Sequence, residues 1–124
     1  MSIESLLSRQ SFADPEGIWR WRSLLPIPEI ARIVSLGEGD TPLLRNQARP
    51  DLPLFIKDET RNPTGSHKDR ALAIAAGHAL SEGARVMAVV SAGSTGLSNA
   101  AYAARAGIAS VAIMSAGAPD ARAR

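Results

Sequence analysis

Nine consecutive residues, Asn62, Pro63, Thr64, Gly65, Ser66, His67, Lys68, Asp69 and Arg70, set one amine directly after a tight turn and at the first turn of a helix. Pro63 fixes one backbone angle and Gly65 admits angles that other residues avoid, so the turn can be sharp. Ser66 reads as the N-cap of the helix, and Asp69, three residues on, as the carboxylate of a capping box. The alanine-rich run over residues 71–79 continues the helix. Lys68 therefore stands among the free N–H groups of a helix start. An amine in that setting can capture an aldehyde as a Schiff base. Taken alone, the same residues also describe an ordinary capped helix start with an exposed lysine.

A second group follows the apolar run Val86, Met87, Ala88, Val89 and Val90: Ser91, Ala92, Gly93, Ser94, Thr95 and Gly96. These small and hydroxyl-bearing residues form a loop between a strand and an alanine-rich helix. Such a helix start presents several backbone N–H groups to an anion. Asn99 lies more than one helical turn further on and is expected to face elsewhere. His78, inside an alanine-rich helix and far from any other ligand type, reads as a surface or packing residue.

Residues 62–70 resemble the lysine motif of the tryptophan synthase β-like superfamily of pyridoxal phosphate (PLP) enzymes, also called fold type II. Within it the nearest pattern is that of threonine synthase. Two further stretches share the resemblance. Ser35, Leu36, Gly37, Glu38, Gly39, Asp40, Thr41, Pro42, Leu43 and Leu44 look like the segment that leads into the family's large domain. Trp19, Arg20, Trp21, Arg22, Leu24 and Leu25 resemble the aromatic and arginine pattern near threonine synthase N-termini. Read physically, the first is a turn-rich connection before an extended stretch. The second is an amphipathic anchor, its tryptophans packed and its arginines in solvent.

The resemblance implies that Lys68 holds PLP and that its freed amine serves as a general base once an amino acid substrate has displaced it. It implies that the loop with Gly93 and Thr95 holds the substrate carboxylate. Ser94 occupies the position of the family's asparagine beside the phenolic oxygen of PLP, but it is shorter and offers no amide fork. His67 stands where threonine synthases usually carry an aromatic residue, an arrangement more like the tryptophan synthase β subunit. Its imidazole could pack on the PLP ring, donate to the phosphate, or stand half in solvent. The reaction implied is conversion of O-phosphohomoserine to threonine and phosphate. Alternatives are the cysteine synthase and serine or threonine dehydratase types, or a remnant that binds without turnover. Full-length members, for which homodimers are the expectation, run well over twice this length. Their phosphate-holding glycine loop and pyridine-nitrogen partner come later in the chain, so these residues read as an N-terminal fragment, inactive alone.

To position these groups the chain must build strands and helices in alternation. The patterns predict a strand over 54–57, a helix over 66–82, a strand over 85–90, a helix over 94–106 and a strand over 109–114. That order implies an α/β class with an open parallel sheet, right-handed crossovers and a three-layer αβα architecture. The apolar runs 86–90 and 111–114 suit strands covered on both faces. Ligands collect at the carboxyl ends of such strands, where both loops would lie. Residues 1–50 read as an irregular arm and lead-in, residues 51–124 as part of a PLP-binding domain, and residues 116–124 as a frayed end.

Composition agrees: 45% of the 124 residues are hydrophobic but only 4% aromatic, as in aliphatic α/β layers. The net charge of +2 is small and its arginines are scattered, which gives nucleic-acid binding little support. The absence of cysteine excludes disulfides, thiol nucleophiles and cysteine metal sites. No apolar run is long enough to span a bilayer. Residues 1–10 mix polar and apolar types, unlike a secretory signal, so a cytoplasmic protein is the expectation.

Overall fold

The computed structural model describes residues 16–28 and 32–117. The expectations for residues 1–10 and for 118–124 lie outside the described residues. A 3₁₀ helix at Gly17–Leu24 is followed by strands β1 (Leu43–Arg45) and β2 (Phe55–Lys57) and a 3₁₀ turn at Glu59–Arg61. Helix α1 (Lys68–Ser81), strand β3 (Val86–Val90), helix α2 (Ser94–Ala106) and strand β4 (Ala109–Ile113) complete the order. The architecture is mixed α/β.

Strands β3 and β4 pair in parallel, with Val86 opposite Ala109 and Val90 opposite Ile113, and α2 connects them. That much follows the expected alternation. The strand expected over 54–57 forms but joins a different sheet: β2 pairs antiparallel with β1, Leu43 opposite Lys57. The reason is local. The chain doubles back between them and the amide of Asn46 donates to Leu54 O at 2.9 Å, whereas a parallel partner would need a long crossover.

Helix α2 covers one face of the parallel pair. Met87 is buried and Val89 half-buried against the core, and Ser110 and Ala112 share their face by register. The opposite face carries Val86, Val90, Val111 and Ile113, all exposed, with Val90 at 82%. The expectation of strands covered on both faces is therefore corrected: among the described residues only one face is covered, because α2 packs on both strands from that side and α1 packs on α2.

Buried positions in α1 are Asp69, Leu72, Ala73, Ala76 and Gly77, a spacing of three and four that places them on one face. In α2 they are Ser98, Asn99, Tyr102 and Ala103. Alanines at the contact let the two helix backbones approach closely. Ile18, Trp19 and Val34 complete this core from the segment ahead of the ribbon. That segment crosses itself at Gly39, where an added Cβ would lie 2.6 Å from the backbone nitrogen of Ile18, and φ is +103°. Only glycine admits both the contact and the angle.

Candidate functional site

The lysine turn is closed by the Gly65 amide donating to Asn62 O at 2.8 Å, with Pro63 inside it and Gly65 at φ +80°. Helix α1 begins at Lys68, two residues later than expected, with His67 as N-cap in the αR region and without a side-chain cap. Ser66 still serves the helix start, since its Oγ accepts from the Lys68 amide at 3.2 Å. The Asp69 and Arg70 amides donate to Ser66 O and His67 O, a three-residue spacing that tightens this turn and brings the Ser66 hydroxyl to an amide two residues on.

Asp69 does not close a capping box. Its Oδ2 accepts from the Thr64 amide at 2.6 Å, and its Oδ1 accepts from the Thr64 hydroxyl and from Ser98 Oγ at 2.7 Å. The carboxylate is wholly buried, and these three donors satisfy both of its oxygens.

Lys68 is half-buried and His67 exposed. Among the described residues, neither side chain meets a hydrogen-bond or ion-pair partner. The other polar side chains of the nine-residue motif are all engaged. Asn62 Oδ1 accepts from the Gly39 amide at 3.0 Å, and Asn62 Nδ2 donates to Glu59 Oε2 at 2.9 Å. Arg70 donates twice to Glu59, from Nε at 2.7 Å and from an η nitrogen at 2.8 Å, and once to Thr41 Oγ1 at 3.1 Å. Thr41 in turn donates to Glu59 at 2.6 Å, and Lys57 Nζ donates to Thr41 O. The Arg70 hydrogen bonds come first among the causes that hold the Glu59 carboxyl down at about 2.

Gly93 is the N-cap of α2; its carbonyl accepts from the Gly96 amide at 2.9 Å and from the Leu97 amide at 3.3 Å. Ser94 and Thr95 are the first two helical residues, where amides have no acceptor inside the helix. Ser94 is exposed and Thr95 half-buried. Ser98, the residue that meets Asp69, lies one turn beyond Ser94 on the same helix face. The contact thus joins the helix start that bears Lys68 to the helix start that bears Ser94. Asn99 faces away as expected: its Nδ2 donates to Met87 O at 3.0 Å and to Ser110 Oγ at 2.7 Å, tying α2 to both strands. His78 is exposed on α1.

Sequence reasoning missed Glu38. Its buried carboxylate accepts from Trp19 Nε1 at 2.7 Å, Ser35 Oγ at 3.2 Å, the Leu36 amide at 2.9 Å and Tyr102 OH at 2.7 Å. A lone acid between two glycines was the available signal. The 3₁₀ segment behaves in part as an anchor: Trp19 is buried while Trp21 stays at the surface, and Arg20 pairs with Asp40 at 3.1 Å.

An unengaged lysine amine at one helix start, beside a second start whose first amides have no acceptor inside the helix, is chemically able to hold a cofactor by its aldehyde. The donor set fits that end of PLP: an amine for the aldehyde and hydroxyl donors for oxygen acceptors. The chain belongs to the pyridoxal-phosphate dependent enzyme family, whose model matches residues 34–124. It is 43% identical over 95 residues to the threonine synthase of Methanocaldococcus jannaschii, covering 73% of this chain and 24% of that protein. Against the threonine synthase of Halalkalibacterium halodurans it is 41% identical over 91 residues, 71% of this chain and 26% of that one. With that of Mycobacterium leprae it shares 42% over 97 residues, 76% and 27% of the two chains. The chain spans about a quarter of the length of these curated relatives. Among the described residues, no helix is long and apolar enough to cross a membrane.

Proposed function

We propose that this chain supplies the lysine-bearing part of an enzyme of threonine synthase type, which converts O-phosphohomoserine to threonine and phosphate. One observation carries the reading: in a turn whose other polar side chains are tied down, apart from exposed His67, the amine of half-buried Lys68 has no partner among the described residues. A rigid turn around an uncommitted amine is preorganised for reaction. The three threonine synthases at 41–43% identity support the substrate class.

In this reading Lys68 Nζ would hold PLP by its aldehyde, and the same nitrogen, when free, would carry carbon-bound protons of the substrate. Bound PLP supplies the electron sink for that proton removal. The amides and hydroxyls at Gly93, Ser94 and Thr95 would orient the substrate carboxylate, and Ser94 Oγ would be the donor available to the phenolic oxygen of the cofactor. His67 flanks the amine.

Borohydride reduction of the protein with PLP, followed by peptide mapping, should place the cofactor on Lys68, and Lys68→Ala should lose it. A reduced adduct on Lys57 alone, or none, would sink the reading. Ser94 at the asparagine position favours a second reading, a module that binds PLP without turnover. Release of phosphate from O-phosphohomoserine separates the two.

A further inference from the structure

We propose that Asp69 is a positioning residue for the Lys68 amine, a buried carboxylate clamp that fixes the lysine turn against helix α2. The proposal rests on the assignment of Lys68 above and deepens it. Asp69 is fully buried, yet every donor it meets is neutral: the Thr64 amide, the Thr64 hydroxyl and Ser98 Oγ. A carboxylate so placed is costly unless each oxygen is satisfied, and here each is. Its position in the first turn of α1 adds the favourable end of the helix dipole.

The donors fall on two sides of the site. Thr64 lies in the turn that precedes Lys68, and Ser98 lies 29 positions beyond Asp69 on the neighbouring helix. One residue thus holds the backbone before the lysine and, through Ser98, the helix whose first turn carries Ser94. An isolated capping interaction would stop at α1. This one crosses to α2 and sets how far the amine stands from the amides of Ser94 and Thr95. Arg70 and Asn62 restrain the same turn from the opposite side, through Glu59 and the Gly39 amide. Asp69 is the motif residue that reaches α2.

The test compares Ser98→Ala with Tyr102→Phe, two variants of the same helix that each remove one hydrogen bond to a buried carboxylate. Both should lose comparable stability. In the full chain, Ser98→Ala should slow PLP capture, measured by stopped-flow absorbance and borohydride trapping, about tenfold, because small misplacements of a reacting group carry penalties of that order. Tyr102→Phe should stay within about twofold. Asp69→Asn should behave as Ser98→Ala does, and combining the two should add little, as expected of residues in one contact. Equal slowing in Ser98→Ala and Tyr102→Phe, or slowing in neither, overturns the clamp. Hydrogen exchange at the Thr64 amide reads the clamp without PLP: it should quicken in Ser98→Ala and not in Tyr102→Phe. If the unsubstituted chain captures no PLP, the proposed function falls, and the clamp then stands or falls on that exchange alone.

Discussion

Tyr102 OH donates to Glu38 Oε2 at 2.7 Å across 64 residues of sequence, and both side chains are fully buried. Trp19 Nε1 meets the other oxygen of the same carboxylate at 2.7 Å. One acid thereby fastens the 3₁₀ segment and the lead-in loop to helix α2. A buried carboxylate with four donors fixes geometry as well as contributing stability: Oε1 takes the Trp19 donor and Oε2 those of Ser35, Leu36 and Tyr102.

Tyr102→Phe should therefore destabilise the fold by about 1–3 kcal/mol in urea unfolding, with an unchanged dependence on denaturant. Trp19 and the Ser35–Leu36 donors still serve Glu38, so the fold should survive. A loss under about 0.5 kcal/mol would mean that the hydroxyl is idle.

Tyr102 is also the single tyrosine of the chain, which makes its ionisation readable. Burial first, and then the Glu38 hydrogen bond, raise its phenol well above the usual 10.0. A folded value above the unfolded one means that this stability is present in full below about pH 10 and is lost as pH rises beyond it. Ultraviolet titration should show the phenolate only as the protein unfolds in alkali. A reversible band near pH 10 in a folded chain would contradict this.

Glu59 gives the opposite dependence. Its carboxyl is lowered from 4.5 to about 2, first by the Arg70 hydrogen bonds and then by those of Thr41 and Asn62 against the cost of burial. The folded value lies below the unfolded one, so the contribution is present above about pH 4.5 and disappears as pH falls toward 2. Thermal midpoints of the native chain and of Glu59→Gln should differ at pH 7 and converge near pH 2. The pair is partly solvent-exposed, so the gap should be modest.

Two glycines should separate strain from overlap. Gly65 has φ +80° with open space around its Cβ position, so Gly65→Ala should cost about 1–2 kcal/mol from the backbone angle alone. Gly39→Ala adds a 2.6 Å approach to backbone, which cannot swing aside, and should cost more. Equal losses in calorimetry would mean that the crossing relaxes freely.

Ser94 offers a gain-of-binding test within the proposed function. Ser94→Ala should weaken PLP retention about fivefold, the value of one modest hydrogen bond, and Ser94→Asn should strengthen it. Dialysis against PLP-free buffer with cofactor absorbance as readout measures both. Indifference to either change would remove Ser94 from the cofactor's surroundings.

By itself, the sequence determined the local elements and their chemistry. Both helices and the strands of the parallel pair fall within two residues of their expected bounds, because apolar period, glycine and proline act over a few positions. The lysine at a helix start was legible for the same reason, and the family through the resemblance of residues 62–70 and 35–44 to its motifs. Tertiary structure alone decided what the acids do. Asp69 looked like a capping carboxylate but reaches back to Thr64 and across to Ser98, and Glu38 gave no sign of its four donors. It also decided that residues 55–57 pair antiparallel with 43–45, and that one face of the β3–β4 pair stays bare among the described residues. Ser98 lies 29 positions from Asp69 and Tyr102 lies 64 from Glu38, and a buried carboxylate gathers such donors only once the chain has folded, which no local pattern encodes.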